Sequence, residues 1–300
     1  MFEEGQLYAP VTTADDGSVR VHLADDHPGA TDPAYRQRRD AIAALSLARS
    51  PGDPIPHVPY TQQEQEVWRT ICAELEAKHE RYACEEFRIA AARLDMPHDR
   101  VPQLDEMSDR LAALTGFRFE PAAGVVPPAD FYGDLAEGIF HSTQYLRHHS
   151  QPLYTPEPDV VHELVGHGNS LASDRFARLY RQAGGAARRV TNEEALDVVS
   201  RIFWFTLEFG VLREDGELRA YGAGLLSSYG EIEEFRAADI RPLEITAMAM
   251  QDYDITHYQP VLFCADGFGE IEEVVGGWFD RADDEEVERT VASASPAAAS

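Results

Sequence analysis

Lysine is almost missing from this chain. Lys78 is the only one, and 26 basic residues face 53 acidic ones, for a formal net charge of −27. So acidic a surface repels nucleic-acid backbones and anionic lipid, which argues against both as partners. Arginine and alanine are plentiful beside that deficit, a pattern that reads as genome base composition, with a salt-rich habitat as the weaker explanation. Cysteine is scarce as well. Cys72, Cys84 and Cys264 are scattered and make neither a disulfide framework nor a CxxC metal site, which fits a reducing cytoplasm. Each reads as a buried thiol packing as a small hydrophobe. No run approaches the roughly 20 apolar residues of a membrane span, and no basic-then-apolar leader is seen, so neither insertion nor secretion is expected. A length of 300 residues at 44% hydrophobic is enough for one large domain or two small ones with ample core.

What the chain does have is a concentration of ligand-type residues in one stretch, TPEPDVVHELVGH (155–167). Thr155, Pro156 and Pro158 read as a turn, since each proline fixes its own φ and pushes its predecessor out of the helical region. Asp159 is a good helix N-cap, with Val160, Val161, Leu164 and Val165 as apolar positions behind it. His162 and His167 lie five residues apart. In a regular α-helix that sets them about 140° apart around the axis. The zinc-protease pattern HExxH spaces its histidines differently. A helix that opens at Gly166, or a wider turn of the π type, lets both rings turn to one point.

Two imidazoles need a third ligand, and non-haem Fe(II) oxygenases supply it as a single carboxylate on the same face. Glu208 is the candidate, the only acid in RIFWFTLEFGVL (201–212). A carboxylate among large apolar side chains is costly to bury unless it is paired or bound to a metal. One histidine on a helix is usually structural and one buried glutamate is often salt-bridged; His162, His167 and Glu208 together outweigh that bland reading. The aromatic stripe Phe203, Trp204 and Phe209 would ordinarily be core, but it shares a helix with a candidate ligand. In GIFHSTQYLRHHS (138–150), Arg147 is the natural partner for a substrate carboxylate, because its planar fork makes two parallel hydrogen bonds. An arginine in such a place is otherwise a surface residue. His148 and His149 beside it read as solvated.

The rest of the chain organises around these segments. Residues 1–55 read as an irregular arm with a short helix within 34–49, and residues 56–280 as the catalytic domain. Residues 281–300 are acidic and then Ala/Ser-rich, expected to be a frayed helix and a disordered tail. Helices are expected over 61–83 with Thr61 as cap, over 84–94, over 100–116 stopped at Gly116, over 171–185 and over 193–212. The stretch 117–135 reads as a strand and a loop, and 254–268 as a strand with Tyr258 and Phe263 facing apolar surroundings. GAG in AYGAGLLSSYGE (220–231) lacks GxGxxG or Walker spacing and reads as a tight turn.

TPEPDVVHELVGH, WFTLEFG (204–210) and AYGAGLLSSYGE closely resemble the tetrahydropterin-dependent aromatic amino acid hydroxylases, in particular the short bacterial phenylalanine 4-monooxygenases. The resemblance runs from about Pro59 to Glu272. Val161 departs from it, where many relatives have cysteine, as does GNSLAS (168–173). It implies a mainly α fold with a few short β-strands (α+β), forming a basket with the metal at its base. It implies Fe(II) held by His162, His167 and Glu208. It places a tetrahydropterin along Gly124, Val125 and Val126, stacked on Phe131, with His141, Phe203 and Glu163 nearby. Pro127 and Pro128 stand where relatives often have serines. It assigns the amino acid carboxylate to Arg147, braced by Asp159, with Thr155 and Ser227 completing the grip. Trp204, Phe209 and Pro158 become the walls around the ring, and Glu163, Trp204 and Ser227 assist the reaction.

The implied reaction takes one atom of O₂ to the para carbon of L-phenylalanine, giving L-tyrosine, and the other to the pterin. Trp204 and the aliphatic Ile255 favour phenylalanine over tryptophan and tyrosine. Within the family, tryptophan 5-hydroxylation and phenylalanine 3-hydroxylation are the alternatives. Outside it, the rivals are a zinc hydrolase with Glu163 as base and a non-catalytic binding module. The resemblance contains neither the regulatory domain nor the tetramerising helix of animal relatives, so a cytoplasmic monomer is expected.

Overall fold

Thr61 opens the first long helix of the body with a reciprocal cap: its hydroxyl accepts from the Glu64 amide while Glu64 accepts from the Thr61 amide. The computed structural model describes residues 10–50, 52–124, 126–255 and 257–294. Helices run over Gln62–Tyr82, Glu85–Leu94 and Leu104–Leu114. Gly116 supplies the positive φ of 76° that ends the third. Asp174–Arg189 is capped by Ser173 and Glu193–Phe203 by Asn192. Their apolar stripes meet in one continuous core built around Trp68, Phe87, Phe176, Tyr180 and Phe279.

Eight short strands complete the described fold. β1 (Val11–Thr13) and β2 (Val19–Val21) pair antiparallel; β3 (Arg118–Pro121) and β4 (Ile139–Ser142) pair parallel. β5 (Val211–Glu214), β6 (Glu217–Ala220), β7 (Asp239–Pro242) and β8 (Val261–Ala265) form a mixed sheet in the order β6-β5-β8-β7. The fold is the expected one, mainly helical with a few short strands. No helix among the described residues is long and apolar enough to cross a membrane.

Four segments differ in detail from the sequence reading. The arm holds a full helix over Pro33–Leu47, because Asp32 accepts from the Ala34 and Tyr35 amides and Pro33 presets φ at the first position. The loop expected before residue 135 contains a helix over Pro128–Leu135, again begun by proline. β8 is shorter than expected, and Tyr258 lies outside it, 54% exposed, while Phe263 is buried as anticipated. The stretch expected to fray is helical over Asp284–Ala294, with Val287 and Thr290 buried. Residues 295–300 of that tail lie outside the described residues.

Candidate metal centre and active site

His162–Gly168 is a π-helix, so the five-residue spacing of its histidines brings both rings to the same side. Their Nε2 atoms are 3.0 Å apart. A second π-turn, Trp204–Glu208, ends the helix that carries the carboxylate, with the Phe209 amide donating back to the Trp204 carbonyl. Glu208 thereby presents Oε1 to His162 Nε2 at 3.3 Å and Oε2 to His167 Nε2 at 3.1 Å. Both π-turns pack against the short helix Ala223–Ser227, which stands where a tight turn was expected. A Cβ at Gly166 would lie 2.7 Å from the Ala223 carbonyl oxygen, and one at Gly222 would lie 2.4 Å from the Glu208 carbonyl oxygen. Glycine is needed at both places because backbones meet there.

The far side of each imidazole is held. Ser227 donates its hydroxyl proton to the Ala223 carbonyl at 2.8 Å and so accepts from His162 Nδ1, also at 2.8 Å. That leaves His162 Nε2 as a bare lone pair. His167 Nδ1 meets the Tyr180 hydroxyl at 2.7 Å. Burial pushes His162 down to about 4, against the pull of the Glu208 charge. Burial would raise the Glu208 carboxyl, but the two histidines outweigh it and hold it below the ordinary range. Two imidazole nitrogens converging on one carboxylate are the donor set a divalent iron ion takes, with positions left open for other ligands.

Glu163 is buried, and one of its carboxylate oxygens lies within 4.8 Å of a nitrogen on each histidine. It therefore borders the centre more closely than a residue simply turned to another side of the helix. Burial, reinforced by the Glu208 charge, drives its carboxyl well above the usual value. A carboxyl pushed toward its protonated form can both donate and accept. Phe131 stands edge-on to Phe140 and Phe203, with centroids 5.5 and 6.5 Å away. His141 Nε2 meets Asp134 at 2.7 Å. Gly124 and Val126 are half-buried, and Val125 lies outside the described residues.

Arg147 and Asp159, expected at the substrate, are both buried and bonded twice, Nε to Oδ2 at 2.9 Å and Nη2 to Oδ1 at 2.8 Å. Burial would raise the Asp159 carboxyl, but Arg147 holds it below its ordinary range. One edge of the guanidinium fork is thus occupied, and Nη1 with the second Nη2 proton is what a substrate carboxylate could meet. Thr155 spends its hydroxyl on the Glu157 carbonyl at 2.9 Å, so it shapes the turn. The Pro158 carbonyl accepts from Tyr145. Trp204 is clasped between Tyr253, stacked at 4.4 Å and 15°, and Phe209, tilted at 4.6 Å. Its indole Nε1 donates to Gln259 Oε1 at 3.1 Å. The backbone amide of Gln259 donates to Glu231 at 2.7 Å. Tyr180, Tyr253 and Gln259 escaped the sequence reading because nothing local marks them. His148 is buried, contrary to the solvated reading, and His149 is exposed as expected.

A family model for biopterin-dependent aromatic amino acid hydroxylases matches residues 15–285. The chain belongs to that family. A phenylalanine 3-hydroxylase of Streptomyces coeruleorubidus is 54% identical over 261 residues, 87% of this chain and 94% of that protein. The phenylalanine-4-hydroxylase of Rattus norvegicus is 41% identical over 265 residues, 86% of this chain but 58% of the animal protein. Among solved structures, the apo phenylalanine hydroxylase of Colwellia psychrerythraea matches with a TM-score of 0.73 at 28% identity, over 82% of this chain and 93% of that one. The Chromobacterium violaceum phenylalanine hydroxylase with bound iron(III) and 7,8-dihydrobiopterin matches with a TM-score of 0.71 at 28% identity, over 79% and 85%. As an aromatic amino acid hydroxylase, the protein is an oxidoreductase using iron and a tetrahydropterin, the cofactors expected from its sequence. The zinc-hydrolase and binding-module readings fall with that assignment.

Proposed function

We propose that this hydroxylase acts on the ring of L-phenylalanine. The observation that carries the substrate is the Trp204 wall, a full indole fixed by Tyr253, Phe209 and Gln259. A side chain of that size at this wall favours the smaller phenyl ring over an indole. Half-buried Ile255 offers no partner to a phenol hydroxyl, and a desolvated hydroxyl without one costs about 1–3 kcal/mol.

His162, His167 and Glu208 would hold the iron, and Phe131, Phe203, His141, Glu163 and the 124–126 segment would border the pterin. Bound together, iron and tetrahydropterin supply the electrons and the metal site that O₂ activation requires. The chain's own work is placement. Arg147 anchors the carboxylate by its free edge while Asp159 fixes its plane. Trp204, Phe209 and Pro158 orient the ring and exclude water. Ser227 and Tyr180 hold the imidazoles so that Nε2 faces the ion.

Two carbons of the ring are candidates. The 54% likeness to a 3-hydroxylase, over 94% of that protein, favours the meta carbon and meta-tyrosine. The para carbon and L-tyrosine, expected from the motifs, are supported by the likeness to 4-hydroxylases at lower identity. Chromatography of products from iron-loaded protein, a tetrahydropterin, O₂ and each aromatic amino acid decides both questions. A higher kcat/KM for tryptophan or tyrosine than for phenylalanine would sink the substrate assignment, and a dominant para product would reverse the order of the two carbons.

A further inference from the structure

Away from the catalytic centre, Asp32, His148 and His149 come together with one ligand atom each, all within 4.8 Å of one another. They join two distant parts of the chain. Asp32 begins the Pro33–Leu47 helix of the arm, and the histidines directly follow Arg147. His148 turns Nε2 to Asp32 Oδ2 at 3.2 Å, while its Nδ1 accepts from the Ser150 amide at 3.3 Å and meets the Ser150 hydroxyl at 2.7 Å. The His149 ring lies against His148 with centroids 4.2 Å apart, and its outer side is open to solvent.

We infer that Asp32, His148 and His149 form a second divalent-metal site, suited to a zinc-like ion with water in the remaining position. Two imidazoles and one carboxylate are a common donor set for such an ion. A helix N-terminus repels cations, but Asp32 Oδ1 takes up the Ala34 and Tyr35 amides at 2.9 and 3.2 Å, which leaves Oδ2 for the metal. The carboxyl is held below its ordinary range by the Tyr35 amide and by His148, so it is ionised at neutral pH. The overall charge of −27 favours any cation. An ion here would pin the arm to the segment bearing Arg147, where the Tyr35 hydroxyl already donates to the Leu146 carbonyl at 2.9 Å.

The test is zinc retention after equilibrium dialysis against micromolar Zn(II), first in protein carrying His162→Ala and Glu208→Ala, which removes the catalytic donors. One retained ion per chain is expected there. It should be lost on adding His149→Ala, an exposed position, or Asp32→Asn, which preserves the helix cap. In otherwise unaltered protein, His149→Ala should lower zinc content by one ion per chain, which covers failure of the double variant to fold. No retained ion in the folded double variant, or an ion that survives both His149→Ala and Asp32→Asn, overturns the site.

Discussion

Arg147 and Asp159 meet through two parallel hydrogen bonds in a place where Asp159 has no exposure to water. Asp159 also accepts from the Val161 and His162 amides at 3.2 and 3.3 Å, so the same carboxylate starts the helix that carries His162 and His167. The proposed substrate anchor and the proposed metal helix are therefore set by one side chain. Arg147→Lys keeps a charge but loses the fork. It should raise the KM for phenylalanine tenfold or more, at ~1.4 kcal/mol per factor of ten, with little change in the KM for pterin. Arg147→Ala strands a buried carboxylate and should lower stability by about 3–5 kcal/mol. Unchanged steady-state constants in the lysine variant would remove Arg147 from the substrate site.

Glu208→Ala or His162→Ala should abolish most iron binding and all hydroxylation while the far-ultraviolet circular dichroism stays helical. Ser227→Ala frees the Nδ1 side of His162 and should weaken iron affinity about 10–100-fold. Metal analysis after dialysis reads both effects. Full iron content with full turnover in the Glu208 variant would end the assignment of the triad.

Gln259 holds Trp204 by its side-chain oxygen and the 254–257 segment by its side-chain nitrogen, which donates to the Asp254 and His257 carbonyls at 2.8 and 3.1 Å. Gln259→Leu keeps the bulk and removes these bonds. A loosened indole should alter the ratio of ring-hydroxylated products and raise the KM for phenylalanine more than that for pterin. Identical product ratios and constants would make the glutamine merely structural.

Glu231 is pushed up to about 7 by burial, partly opposed by the Gln259 amide. An unfolded glutamate loses its proton near pH 4.5, so between that value and pH 7 the folded state holds a proton the unfolded state has released. Stability from this group is thus greatest below pH 4.5, declines up to pH 7 and is then flat. The decline is on the order of 3 kcal/mol. Glu231→Gln retains the acceptor without the charge. It should raise Tm at pH 8 and flatten the change in Tm between pH 5 and pH 8. A Tm at pH 8 below that of the unaltered protein refutes the assignment.

Much of the fold was legible locally. Thr61 announces a helix start, because cap chemistry acts within a few residues, whereas the helix expected from residue 171 begins only at Asp174, after the Ser173 cap. His162, His167 and Glu208 stood out because ionisable side chains in apolar runs are costly without a partner. The helix begun by Pro128 was read as a loop and the one begun by Pro33 as only a short helix, since proline permits a loop and a helix start alike.

The sequence by itself determined which side chains could bind a metal and where most of the long helices run, since both follow from residue chemistry and short-range spacing. Only the tertiary structure decided the two π-turns that bring His162, His167 and Glu208 within 3.0–3.3 Å of one another. It alone brought Tyr180 to His167, Gln259 to Trp204 and Asp32 to His148. Those partners lie 13, 55 and 116 residues apart in the chain. Their meeting depends on how whole helices pack in the core, which local periodicity does not encode.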